Sequence, residues 1–263
     1  MLRFLGITFG LLTQAVFLAT LPSIYRFLRN DYAFATAGSL WIDAGLALLF
    51  VLPHSILLYP KTRAWITRRL RSEFYGSLFC LATCVGLSIQ FAFWRGSPFV
   101  VWAWPESLRP VIRFGFLACW VALFYSLFLT GLGYQTGLTP WWHWLRRRPL
   151  QRRQFHPIGA YRYLRHPAYF SFLGLVWLTP VITADRAVLI VVWSAYIYVG
   201  SYLKDQRLAK LIGEPYERYM TEVPGYPLIT WGPLARRPLL PLLSFAASTS
   251  ESRGVAESAR KAA

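Results

Sequence analysis

The chain is poor in charge, in cysteine and in acid. Only 15% of its 263 residues are charged, with 11 Asp or Glu against 28 Lys or Arg, while 56% are hydrophobic. So little charge excludes an ordinary soluble domain and leaves a polytopic membrane protein. The three cysteines, Cys80, Cys84 and Cys119, all fall inside apolar runs. An odd number in such places excludes a disulfide framework or a zinc site, and no metal is expected. The first apolar run has only Arg3 before it and lacks a small-residue cleavage pattern, so no cleavable leader is expected. Internal repeats and low-complexity stretches are also lacking.

What is present is a net charge of +17, a mean hydropathy of +0.38 and 17% aromatic residues. The basic residues come in blocks beside apolar runs, a pattern of loops facing anionic lipid rather than of a nucleic-acid groove. Membrane lipids are therefore the expected surroundings, with no nucleic-acid partner. Six apolar runs, each near the roughly 20 residues that cross a bilayer, predict an all-α polytopic fold. They lie at about 4–25, 37–58, 74–94, 111–133, 167–182 and 187–203. The last two are short, as in a thin or tilted hairpin turned at Thr183-Ala184-Asp185-Arg186.

The loops set an orientation. Lys61, Arg63, Arg68, Arg69 and Arg71 crowd the second; Arg146, Arg147, Arg148, Arg152, Arg153, Arg162 and Arg165 crowd the fourth. The third carries Arg95, Arg109 and Arg113, and the fifth only Arg186. Heavy loops alternating with light ones predict that the second and fourth loops and both termini are cytoplasmic. Arg26 and Arg29, which outnumber Arg3 across the first helix, run against that pattern. Residues 1–243 are expected to form one membrane domain, with its motifs at 156–228. Residues 244–263, rich in Ser and Ala without periodicity, read as a disordered tail. Trp102, Trp104, Trp141, Trp142 and Trp144 stand just outside the spans, as an interfacial belt would.

Polar residues inside spans are expensive and so informative. Asp43 in the second span is expected to pair with an arginine or face water. His54, followed by Ser55, closes the same span; it is either a packing residue or a group facing a cofactor cavity.

Two polar stretches carry the chemistry. The first runs from Gly159 to Phe172 and contains Arg165-His166-Pro167. Proline suits the first turn of a helix, which puts the arginine and histidine at a helix N-terminus where an anion is favoured. Tyr161, Tyr163, Tyr169 and Phe170 add aromatic faces, over which a soft cation can lie. A ligand with a carboxylate and a sulfonium, such as S-adenosylmethionine, has both features; a juxtamembrane anchor is the plain alternative. The second stretch, Lys204 to Tyr226, has Asp205 as its one acidic group near the membrane. Leu208, Leu211 and Ile212 follow at helical spacing. Gly213 interrupts, Pro215 starts a short helix carrying Tyr216 and Tyr219, and Pro224-Gly225-Tyr226-Pro227 stops it. It reads either as an amphipathic segment on the membrane or as a lid over the Arg165-His166 helix end.

Together, Gly159-x-Tyr161-Arg162-x-x-Arg165-His166-Pro167-x-Tyr169, then an acidic residue, Leu208, Gly213, Tyr216, Tyr219 and Pro224, resemble the isoprenylcysteine carboxyl methyltransferase and phospholipid methyltransferase superfamily. Within it the pattern is most similar to bacterial methanethiol S-methyltransferases and NnrU-like membrane proteins. Those also have a His-Ser pair ending an early span, here His54-Ser55, and a basic segment leading to a tyrosine, here Arg71 and Tyr75. The resemblance covers roughly residues 40 to 228. It implies an S-adenosylmethionine-dependent methyltransferase in the bacterial inner membrane, acting on a small thiol or a lipid-borne acceptor. It further implies that Tyr161, Arg165, His166, Pro167, Tyr169, Asp205, Tyr216 and Tyr219 line the cofactor pocket. Arg165 and His166, and beyond them His54, are candidates for electrostatic help to a thiolate. The chain departs from the pattern twice: Lys204-Asp205 stands where the family has Glu-Glu, and Ser171 where it tends to have glycine. A non-enzymatic assembly protein of the NnrU-like kind and an NADPH-dependent reductase of the steroid-reductase kind are the alternatives.

Overall fold

The computed structural model describes residues 2–30, 39–150 and 154–237. The start of the second expected span at 37–38 and the tail expected at 244–263 lie outside the described residues. Five helices in these residues are long and apolar enough to cross a membrane. They are α1 (Leu2–Arg29), α2 (Leu40–Leu58), α4 (Ser72–Phe93), α5 (Arg109–Thr130) and α9 (Ala184–Ile212). Between them lie α3 (Pro60–Thr67), α6 (Leu132–Gln135), α7 (Leu138–Leu145) and α8 (Pro167–Trp177), and α10 (Glu214–Glu222) follows α9.

The helix ends follow from local chemistry. Tyr59 is extended because it precedes Pro60, which opens α3 at its first turn. Gly131 ends α5 at φ 82°, a left-handed position that suits glycine. Pro22 and Pro53 sit inside α1 and α2, as membrane helices tolerate. α4 packs on α1 and α2, α2 on α9, and α8 between α5 and α9. Phe27, Leu87, Phe116, Leu123, Leu175 and Trp193 are among the core side chains where they meet. Phe4, Leu18, Val121, Phe128 and Val191 stay exposed, as lipid-facing residues do.

The fifth apolar segment differs from its expected extent. It is helical only over α8, about 16 Å long at 1.5 Å per residue, and then runs extended through Thr179 and Pro180 into β2 (Val181–Thr183). Proline bars the helix from continuing, and β2 pairs antiparallel with β1 (Val100–Ala103) through Trp102↔Ile182 and Ala103↔Val181. The turn expected at 183–186 is instead the start of α9, whose 29 residues run past the sixth apolar run and take in Lys204 and Asp205.

The β1–β2 ribbon caps one end of the bundle over a buried polar knot. Asp185 accepts from Trp94 Nε1 at 2.8 Å, from the Ser97 amide at 3.0 Å and from Thr183 Oγ1. Asp43 accepts from the Arg95 amide at 2.8 Å. The Arg186 side chain donates to Asn30 Oδ1 and lies 4.4 Å from the Phe27 ring. Asp43 thus holds a loop amide.

At the other end the basic loops meet. Arg3 donates to the Leu145 carbonyl, Arg207 to the Leu58 carbonyl and Tyr75 to the Leu57 carbonyl. The Trp residues divide. Trp102 and Trp142 are about half exposed, as in an interfacial belt, but Trp141 is buried. Its indole lies against Gly10 of α1, where a Cβ would overlap it, and donates to the Gly6 carbonyl at 2.9 Å. Gly10 lets this ring approach the helix backbone, and Gly6, one turn earlier, gives the same room to Trp144 and Phe74.

Candidate active site

His166 caps α8 and Pro167 is its first residue, so the helix entry is where the proline predicts it. The preceding turn is short 3-10 helix at Gly159–Arg162. Two backbone bonds, from the Arg165 amide to the Pro224 carbonyl and from the His166 amide to the Gly225 carbonyl, tie this entry to the chain after α10.

Arg165 is fully buried and is the hub. Its Nε donates to Asp205 Oδ2 at 3.0 Å. Its Nη1 donates to the carbonyls of Met220, Val223 and Ala235, and its Nη2 to those of Leu234 and Ala235. The guanidinium fork is occupied by acceptors of the protein itself. Asp205, also fully buried, accepts in addition from Tyr216 Oη at 2.6 Å. The acidic group of the second polar stretch thus pairs with the arginine of the first.

His166 is the member with capacity to spare. Nε2 lies 3.1 Å from Asp205 Oδ1 but off the line of a hydrogen bond, and Nδ1 has no partner. The ring stacks on Tyr169 at 5.6 Å and 13°, and the Tyr226 ring is 5.8 Å away. Burial pulls the imidazole below its ordinary value, against the opposing pull of the Asp205 carboxylate. The ring is therefore held neutral, with a lone pair to offer. Beyond Tyr169, Lys204 Nζ stands 4.8 Å from that ring's centroid.

The other expected residues support this centre. Tyr219 donates to the Tyr161 and Leu164 carbonyls, which fastens α10 beneath the turn that leads to Arg165. Tyr161 bonds Thr130 and its burial pushes the phenol up to about 12. Phe155 packs edge-on to Tyr216 and Tyr219. Ser171, in place of the glycine, folds its hydroxyl back onto the Pro167 carbonyl at 2.9 Å. His54 is not in the cluster. It sits between α2 and α4 with Nδ1 3.2 Å from Thr83 Oγ1, walled by Phe50, Phe79 and Tyr196. Sequence reasoning passed over Tyr226 as a helix stop; its placement in Pro-Gly-Tyr-Pro was the available signal. It also missed Leu234 and Ala235, which no pattern marked. Arg165, His166 and Asp205 line neither of two open clefts, of about 380 and 840 Å³, elsewhere on the protein.

Methanethiol S-methyltransferase of Crocosphaera subtropica is 28% identical to this chain over 187 residues, 71% of this chain and 73% of its own. Methanethiol S-methyltransferase 1 of Bradyrhizobium diazoefficiens is 26% identical over 240 residues, 87% and 83% of the two chains. Over most of its length the chain is similar to these two methanethiol S-methyltransferases. The relationship extends to nurim of Xenopus laevis, 24% identical over 188 residues, 68% of this chain and 66% of that one. No protein-family model matches the chain, and no solved structure does.

Proposed function

We propose that this protein is an integral-membrane methyltransferase that uses S-adenosylmethionine to methylate a small thiol, in a site built around His166. The observation that carries the reading is the buried imidazole with an unpartnered Nδ1 between two tyrosine rings. The names of the relatives in Crocosphaera and Bradyrhizobium support it independently.

The residues present fit such a cofactor in part. S-adenosylmethionine, when bound, supplies an electrophilic methyl carbon on a sulfonium. The faces of Tyr169 and Tyr226 suit a soft cation, and the lone pair of His166 suits an ammonium or thiol donor. Arg165 fits a cofactor carboxylate poorly, because its donors already meet protein carbonyls. In this reading Arg165, Asp205 and Tyr216 are positioning residues that hold His166. His166 accepts the thiol proton, and thiolate is the reactive form. Tyr161, Pro167 and Tyr219 shape the helix entry and exclude water from it. The site end of the bundle, with its basic loops, faces the cytoplasm, and both termini lie on that side of a bacterial inner membrane.

Calorimetry on detergent-purified protein tests the cofactor: S-adenosylhomocysteine should bind and NADPH should not. Labelled-methyl transfer to methanethiol, larger thiols, lipidated cysteine and amine lipids then reads the acceptor, with the small thiol expected. Binding of NADPH alone, or of neither, would overturn the reading. For orientation, a cysteine placed at Arg148 should label from the inside and one at Pro105 from the outside.

A further inference from the structure

A second basic feature lies apart from the His166 centre. At the end where the basic loops meet, the start of α1, the start of α4 and the end of α7 enclose the open cleft of about 840 Å³. Five arginines line it, Arg3, Arg69, Arg71, Arg147 and Arg148, against one carboxylate, Glu73. That carboxylate is engaged by Arg71 at 3.3 Å. Arg3 donates to the Leu145 carbonyl, and Arg69 lies 4.4 Å from the Trp65 ring. None of these neutralises the excess charge.

The turn that presents two of the arginines is preset. Arg147 has φ 53°, a left-handed conformation that disfavours any residue but glycine, asparagine or aspartate. Backbone bonds from the Arg147 amide to the Trp144 carbonyl and from the Arg148 amide to the His143 carbonyl hold it. His143 Nδ1, 3.1 Å from the Pro149 carbonyl, holds it too. The turn thus sets the Arg147 and Arg148 side chains along the cleft, where their charge is available to an anion.

Below the charges the wall changes character. Phe9, Phe74 and Trp144 pack in series, tilted and then edge-on, at 6.1 and 4.7 Å between ring centroids, and Leu5 beside them is 54% exposed. A small soluble anion uses only the arginines. An amphiphile with a phosphate head and an acyl chain uses both parts.

We propose that this cleft binds the headgroup of an anionic phospholipid, with the phosphate among Arg69, Arg147 and Arg148 and the first chain carbons along Phe9 and Phe74. Basic pockets between membrane helices recognise such headgroups by charge-assisted hydrogen bonds. The inference is independent of the methyl-transfer reading.

The test uses full-length protein in a mild uncharged detergent at fixed ionic strength. Native mass spectrometry and thermal melting are followed with phosphatidylglycerol, cardiolipin, phosphatidylcholine and inorganic phosphate. The anionic lipids should remain bound and raise the melting temperature in a concentration-dependent way; phosphatidylcholine and phosphate should do neither. Arg147→Gln with Arg148→Gln should weaken retention by roughly tenfold to thirtyfold, from about one unit of surface attraction per arginine. Lys61→Gln with Lys210→Gln removes the same charge elsewhere and should retain it in full. Equal retention in the two double variants, equal effect of phosphatidylcholine, or a full shift from phosphate alone would each overturn the proposal.

Discussion

The two ends of α9 each bury an aspartate in a polar knot, about 30 Å apart at 1.5 Å per residue, and the knots differ in kind. Around Asp185 the hydrogen-bond donors are an indole, a hydroxyl and a loop amide, with the Arg186 guanidinium 3.8 Å from the carboxylate, and Asp43 beside them holds another amide. The indole, the hydroxyl and the amides carry no titratable proton near neutrality, and two of these four donors are backbone amides of the loop that closes the bundle. Around Asp205 the donors are the side chains of Arg165 and Tyr216, with His166 against the same carboxylate. Unsatisfied atoms do not separate the two ends, since Asp43 Oδ2 and both polar atoms of the Gln90 amide also lack partners. The separation is chemical. One knot ends on chain amides and locks a loop; the other ends on an imidazole beside aromatic faces and has something to offer a ligand.

Arg165→Ala breaks the comparison most severely. It strands the Asp205 carboxylate and removes the donor shared by the carbonyls of Met220, Val223, Leu234 and Ala235. Removing one partner of a buried ion pair costs about 3–5 kcal/mol. Denaturation should show that loss, and limited proteolysis should cut first within 220–237. Lysine should not rescue it, because a single ammonium cannot replace the planar fork. Retained stability in the alanine variant would show that the fork is not the hub.

Asp185→Asn tests the opposite end. An asparagine places an amide donor where the carboxylate accepted, at a cost of about 1–3 kcal/mol. The melting temperature should fall while the affinity of the surviving protein for S-adenosylhomocysteine stays the same. A change in affinity would mean the two ends are coupled through α9.

His166→Gln should do the reverse: an affinity loss of about tenfold, the worth of one hydrogen bond, with little change in melting. The imidazole also gives a pH signature. Its folded value lies below its ordinary value of about 6.5, so the unfolded chain takes up the proton first. Stability is then complete above about 6.5 and lost as pH falls from there through the folded value. The glutamine variant should flatten that acid limb of the melting curve.

Much of this site was legible in the sequence, and the reason is local. Pro167 fixes a helix start, so Arg165 and His166 had to flank it, and Gly213 with Pro215 had to begin a new helix bearing Tyr216 and Tyr219. The partner of Asp205 lies 40 residues away, and spacing alone could not choose it. The acceptors for Arg165 were less legible still, since residues 224–235 have no periodicity to read. In the bundle, apolar length marked each run but overextended the fifth, where Pro180 was the available stop signal. Trp141 looked like a belt residue because the Gly6 carbonyl it donates to and the Gly10 it packs on lie far earlier in the chain, the first by 135 positions.

The smallest change sharpens the comparison most. Tyr216→Phe removes one hydroxyl, keeps the ring that packs on Phe155 and Tyr219, and leaves Asp205 Oδ1 without its 2.6 Å donor. The stability cost should be modest, about 0.5–1.5 kcal/mol, because Arg165 still holds Oδ2. The informative effect falls on His166. A carboxylate oxygen relieved of the phenol becomes a better acceptor for the imidazole 3.1 Å away, which raises the affinity of the ring for its proton. The acid limb of the melting curve should therefore be shallower and end at a higher pH while its onset stays near about 6.5, and ligand binding that needs the free lone pair should weaken at higher pH than in the parent. Asp185→Asn, whose network contains no imidazole, should leave that profile where it was. If Tyr216→Phe lowers stability without moving either pH profile, the tyrosine supports only the carboxylate, and the Asp205 knot is a lock like the one at the other end.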